Sequence, residues 1–160
     1  MALDTLIHFK IKDDIEIDIP YLCASMSTYV KNLIDTSISG STISLPILTQ
    51  CSVELLITFY EYYNSLSDED KININTFCIK LPDDIGWTIP TYIDTSIFLE
   101  FYTKMINMTC TDCGCAIIEA YDAFVELDYI YLIDFTSKLI LYRIKDLSQD
   151  DITNFFSYRS

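Results

Sequence analysis

Between Tyr129 and Ile144 the apolar residues fall on two stripes at helical spacing. One is Leu132, Phe135, Leu139 and Tyr142; the other is Ile133, Ile140 and Ile144, with the small Ser137 between. A helix that is apolar on two sides has to be covered on two sides. The chain's own core can supply one cover. The other requires further chain or a partner, so this segment couples the fold to an interaction.

The remainder has the material for a core. A chain of 160 residues, 51% of them apolar, is expected to form one compact unit or a small domain with a helical extension. Such a unit buries about 70% of its unfolded surface. Its 24 acidic and 10 basic residues give a net charge of −14. That surface repels phosphate backbones and anionic lipid heads, so neither nucleic acid nor membrane is an expected partner. It attracts basic protein surfaces. No apolar run reaches the roughly 18 residues that span a bilayer. The opening Met1-Ala-Leu-Asp-Thr5 lacks the basic and apolar segments of a secretion signal. The expected location is therefore cytoplasmic or nuclear, with the six cysteines as reduced thiols.

Leu6 to Lys12 and Ile15 to Ile19 alternate apolar and polar residues at period two, separated by Asp13-Asp14, which predicts a β-hairpin. Pro20 has no backbone donor and closes the second strand. Leu22, Met26, Val30, Leu33 and Ile34 then follow a helical spacing that predicts two short helices within Tyr21–Thr36. Gly40 breaks that pattern, and Ile43 to Pro46 reads as a third strand. Ser52 is the expected N-cap of a helix through Asn64, with Val53, Leu56, Ile57 and Tyr60 on its buried face. Beyond it, Asn75 to Leu81 suggests an edge strand and Thr95 to Asn107 a further helix, with Trp87 between. Ala116–Leu127 and Tyr129–Ile144 read as consecutive helices.

Candidate chemistry is sparse. Cys110, Cys113 and Cys115 form one cluster, but a zinc site normally needs four ligands, and His8 is far away in sequence. Reduced thiols are the expected state, with no metal and no cofactor. His8 lies on an alternating strand without a neighbouring nucleophile, so a place on the polar face of the hairpin is expected. Three scattered glycines build no phosphate loop, and no carboxylate pair has a context that would raise one pKa. The expectation is a non-catalytic protein.

The C-terminal third carries Leu127-Asp128, Leu132-Ile133-Asp134, Thr136-Ser137-Lys138, Ser148-Gln149-Asp150-Asp151-Ile152 and Phe156. In spacing and chemical type this tract resembles the signature of the S-phase-kinase-associated (Skp) adaptor family, which joins F-box proteins to cullins in ubiquitin ligases. The order of elements from Leu6 to Tyr63 is similar to the opening of the BTB/POZ fold, which that family shares with elongin C. The resemblance implies an α/β fold of BTB/POZ type over residues 1–111, followed by a helical F-box-binding or dimerisation region over 112–160. It also implies a function: an adaptor of ligase assembly that binds an F-box protein through its C-terminal helices and a cullin through the BTB part. Ile133, Ser137, Ile140, Ile144 and Phe156 fall on the family's F-box-facing positions. Val125 and Glu126 stand where the family carries an asparagine and a tyrosine that touch the cullin, with Tyr129 and Tyr131 nearby. Family members continue past the last phenylalanine into more helices, whereas this sequence stops at Ser160. The alternative is a self-associating BTB-type module, a homodimer for instance, or a decoy that holds a single ligase component.

Overall fold

The computed structural model describes residues 5–69, 71, 115–144 and 147–156, and of residues 115, 116, 138, 142 and 143 the backbone. The expected strand at Asn75–Leu81, Trp87, the helix at Thr95–Asn107, Cys110 and Cys113 lie outside the described residues.

The period-two segments pair as expected. β1 (Leu6–Lys10) and β2 (Glu16–Pro20) are antiparallel, with Ile7 opposite Ile19 and His8 opposite Asp18. Phe9, Ile11 and Ile19 turn into the core, while Lys10, Glu16 and Asp18 stay outside. Asp13 and Asp14 reverse the chain with φ of 61° and 59°, a left-handed conformation that aspartate tolerates because its short side chain can bond locally.

The two expected short helices are α1 (Tyr21–Ala24) and α2 (Thr28–Thr36). α2 buries Val30 and Ile34 as predicted, but the buried face of α1 is rotated from the predicted one. Cys23 and Ala24 are buried, whereas Leu22 is 37% exposed. Gly40 takes φ 80° as the chain turns into β3 (Ile43–Ser44). β3 lies parallel to β1, so the sheet order is β2-β1-β3.

The next helix, α3 (Gln50–Ser65), corrects an expectation. Its N-cap is Thr49, and Ser52 sits three residues inside. The Thr49 hydroxyl accepts from Ser52 N at 3.0 Å, and Thr49 N donates to Ser52 Oγ at 2.7 Å. Ser52 therefore completes a reciprocal capping box instead of opening the helix. Phe59 and Tyr62 join Val53 and Leu56 among its buried residues, while Ile57 and Tyr60 are only partly covered.

α4 (Cys115–Glu126) and α5 (Ile130–Ile144) are the two expected C-terminal helices, and α6 (Gln149–Phe155) follows. α4 packs on both α3 and α5. Leu127-Asp128-Tyr129 forms the joint between α4 and α5. Tyr129 N donates to Phe124 O at 3.0 Å, enclosing a bond of smaller sequence span from Asp128 N to Val125 O at 3.3 Å, with Asp128 at φ 59°. This nested pair is a Schellman termination. Its usual apolar contact is present too, as the Phe124 and Tyr129 rings meet edge to face at 6.0 Å.

A substitution at Asp128 should read out that geometry. Asp128→Val is expected to lose about 1–2 kcal/mol, because a β-branched residue is strained in the left-handed region. Asp128→Gly should stay within about 1 kcal/mol of the parent. Urea midpoints at unchanged slope decide it, and equal midpoints for the two variants would contradict the assignment.

The buried apolar residues form one cluster that runs from Ile7 in β1 to Phe155 in α6. The architecture is mixed α/β, with six α-helices and a three-stranded sheet among the described residues. Among those residues no helix is long and apolar enough to cross a membrane.

Candidate functional site

α5 sorts its described apolar side chains as a two-sided helix should; that of Tyr142, expected on the inner stripe, lies outside the described residues. Leu132, Phe135 and Leu139 are buried at 3%, 2% and 1% exposure. Phe135 meets Phe59 of α3 edge to face at 5.0 Å, which anchors this side in the core. On the other side Ile133, Ser137, Ile140 and Ile144 share one face and are only partly covered. Ser137 turns its hydroxyl back to Asp134 O at 2.8 Å. Leu141, beside Ile140 in sequence, is 48% exposed.

Ser148 caps α6 by accepting from Asp151 N at 3.2 Å, and Asp150 and Asp151 place negative charge at the positive end of the helix. The helix delivers Phe155 to the core. Phe156, the predicted site residue, is half-buried and stands edge to face against Phe155 at 5.1 Å.

Several of the other signature residues lie in the interior. Leu127, Asp134 and Thr136 are buried, and Thr136 donates to Leu132 O at 2.5 Å along the helix. Two further bonds tie the joint between α4 and α5 to the joint between α1 and α2. Ser27, fully buried, accepts from Val30 N at 3.1 Å as N-cap of α2, and its hydroxyl donates to Leu127 O. Tyr129 donates to Ala24 O at 2.8 Å. Sequence periodicity gave no notice of either bond; the one available signal was that serine is a preferred capping residue.

Tyr129 is 2% exposed, and Tyr131 stacks on Tyr63 at 5.7 Å and lies against Phe59 at 6.1 Å, so both rings pack within the protein. Val125 and Glu126 are exposed on the last turn of α4, Val125 at 47%. Ile130, just past the joint, is 54% exposed and went unnoticed in the sequence. In sequence, the Asp128 turn lies between Val125 and Glu126 and the isoleucine face of α5.

Burial at the joint also sets its acid chemistry. Burial, with the charge of Glu61, pushes the Cys23 thiol from its ordinary 9.0 up to about 12. Burial and the neighbouring Cys23 push the Tyr129 phenol far above its ordinary value. Both groups lose their protons more readily in the unfolded chain. Their stabilising effect is complete below the unfolded values and disappears as pH rises through the folded ones. Stability should therefore fall above pH 9.0, at roughly 1.4 kcal/mol per pH unit for each group that titrates. Cys23→Ala should move that onset about one unit higher, to where Tyr129 alone titrates. Urea unfolding across this range measures it, and an onset unmoved by Cys23→Ala would contradict the mechanism.

His8 lies on the outer face of the hairpin, with Nδ1 2.7 Å from Asp18 Oδ1 and Nε2 3.6 Å from Glu16. The hydrogen bond with Asp18 is the main reason its pKa is raised. The two carboxylates flank opposite sides of the ring, which suits an ion pair better than a shared metal. Among the described residues no group of three or more histidine, cysteine or carboxylate side chains could hold a metal ion.

No protein-family model matches this chain, and no curated protein matches it.

Proposed function

We propose that this protein is a non-catalytic adaptor of cullin–F-box ubiquitin-ligase assembly, with a BTB/POZ-type fold and a Skp-type helical extension. The observation that carries the reading is the half-covered face of α5. Ile133, Ile140 and Ile144 lie opposite the residues that anchor the helix, and Leu141 widens the apolar area. An amphipathic helix of an F-box protein could cover that face, with Ser137 giving room for a close approach. Burial of the aliphatic groups would supply the affinity, at about 25 cal/mol per Å² before association costs are subtracted. The order β1, β2, α1, α2, β3, α3 supports the BTB part of the reading.

A second reading is a protein that holds only one ligase component. Val125 and Glu126 favour it, because an aliphatic and a carboxylate stand on the surface where the family presents an amide and an aromatic ring. A pull-down with an F-box peptide and a cullin N-terminal domain tests both. Capture of the two together supports the bridge. Capture of one alone supports the single-partner form, and capture of neither overturns the proposal.

A further inference from the structure

We propose that the wedge between β1 and the loop leading from α2 into β3 is a binding site for a short basic peptide, taken up in extended form as an added strand. The proposal is independent of the ligase reading and uses a different face of the molecule.

Hydrogen bonding sets up the wedge. Tyr21 N donates to Thr5 O and Ile11 N to Ile15 O, each at 2.8 Å, and these bonds fix the odd-numbered residues of β1 as the ones bonded to β2. The backbone groups of Leu6, His8 and Lys10 consequently point to the opposite edge. There β3 pairs with β1 only at Phe9 with Ile43 and Lys10 with Ser44, and Leu45 N closes on Lys10 O at 2.9 Å. Upstream of Ile43 the chain turns away, with Gly40 at φ 80° and Ser41 N bonded to Ile38 O at 3.0 Å. Among the described residues, the amides of Leu6 and His8 and the Leu6 carbonyl thus line an open strand edge.

That edge borders a groove of about 630 Å³ whose lining includes Leu6, His8, Tyr21, Asp35 and Ile38. Its size is within the roughly 300–1,000 Å³ of ordinary ligand clefts. Leu6 is 60% and Ile38 82% exposed, so large apolar side chains stand at the groove where alternate side chains of a guest strand would lie. Groups of this kind, backbone donors and acceptors beside shallow apolar contacts, recognise a peptide backbone.

Charge selects the guest. The groove's own carboxylate, Asp35, is already engaged, accepting from Tyr21 at 3.1 Å and pairing with Lys31 at 2.6 Å, so the selection comes from the chain's net charge of −14. Two such chains meeting edge to edge would repel each other, whereas a lysine- or arginine-bearing peptide is drawn in. The occupant is therefore a basic segment of another protein and not a second copy.

The test is an NMR titration of the full chain with a capped heptapeptide that alternates lysine and valine, beside its glutamate–valine counterpart. The lysine peptide should shift amides at Leu6 to His8 and Ser37 to Ile43 and should bind more weakly as salt is raised. Leu6→Pro removes one edge donor at the first residue of the strand, where proline is tolerated. Ile38→Arg adds a like charge at an exposed site. Each variant should keep the parent's circular dichroism and bind the lysine peptide about tenfold more weakly. The proposal is overturned by no shift at millimolar peptide, by shifts centred on other residues, or by equal binding of the glutamate peptide. Undiminished binding in both folded variants would also overturn it, as would self-association on sedimentation that Leu6→Pro abolishes.

Discussion

Ile140→Asp is expected to leave the chain folded and to abolish capture of an F-box peptide. Ile140 is partly covered on the outer face of α5, so an aspartate there can reach water in the free protein. The stability cost should be about 1–2 kcal/mol. Against a partner helix the same carboxylate would be buried without a counter-charge, and affinity should fall by about a hundredfold or more. The neighbouring residue supplies the control. Leu139 is 1% exposed on the inner face, and Leu139→Ala should cost about 2–5 kcal/mol by opening a cavity. Thermal melting beside isothermal titration separates the two faces. A collapsed melting temperature in Ile140→Asp, or unchanged affinity in the folded variant, would remove α5 as a docking surface.

The largest stability effect is expected at Phe59. Its ring is fully buried and stands at the centre of an aromatic group, 5.0 Å from Phe135 and 6.1 Å from both Tyr63 and Tyr131. It joins α3 to α5, so truncation affects both the core and the seat of the candidate site. Phe59→Ala should lose about 3–5 kcal/mol, a large share of the roughly 5–15 kcal/mol that holds a typical domain together. Phe59→Leu keeps most of the volume and should recover about half of that loss. Urea unfolding followed by circular dichroism measures both. A loss under about 1 kcal/mol for the alanine variant would mean that the aromatic group does not hold α5 in place.

The sequence was most legible where one physical signal dominated. Alternation from Leu6 to Ile19 gave the hairpin, because a strand with one buried face must repeat at two. The two stripes of α5 were likewise readable from spacing, since the helical repeat sets both faces. Legibility failed where several elements cover one helix. α3 buries Leu55, Phe59 and Tyr62 beside Val53 and Leu56, and a single-face pattern misses part of so wide a buried surface. Capping failed for a related reason. Thr49 and Ser52 are both good capping residues, and the reciprocal bonds that settle their roles depend on backbone angles no composition reveals. At the candidate site, Ile133, Ile140 and Ile144 could be placed on one face from spacing alone. Ile130 could not be read as exposed, because its surroundings depend on the Asp128 turn and on where Tyr129 lands.

The bonds from Ser27 to Leu127 and from Tyr129 to Ala24 join positions 100 and 105 residues apart. During synthesis, α1, α2 and α3 leave the ribosome long before α4 and α5 exist to cover them. Phe59 and its neighbours would meanwhile stay wet, and the entropy of closing so long a loop must be overcome before either bond forms. The nascent N-terminal half is consequently the stage most in need of a chaperone.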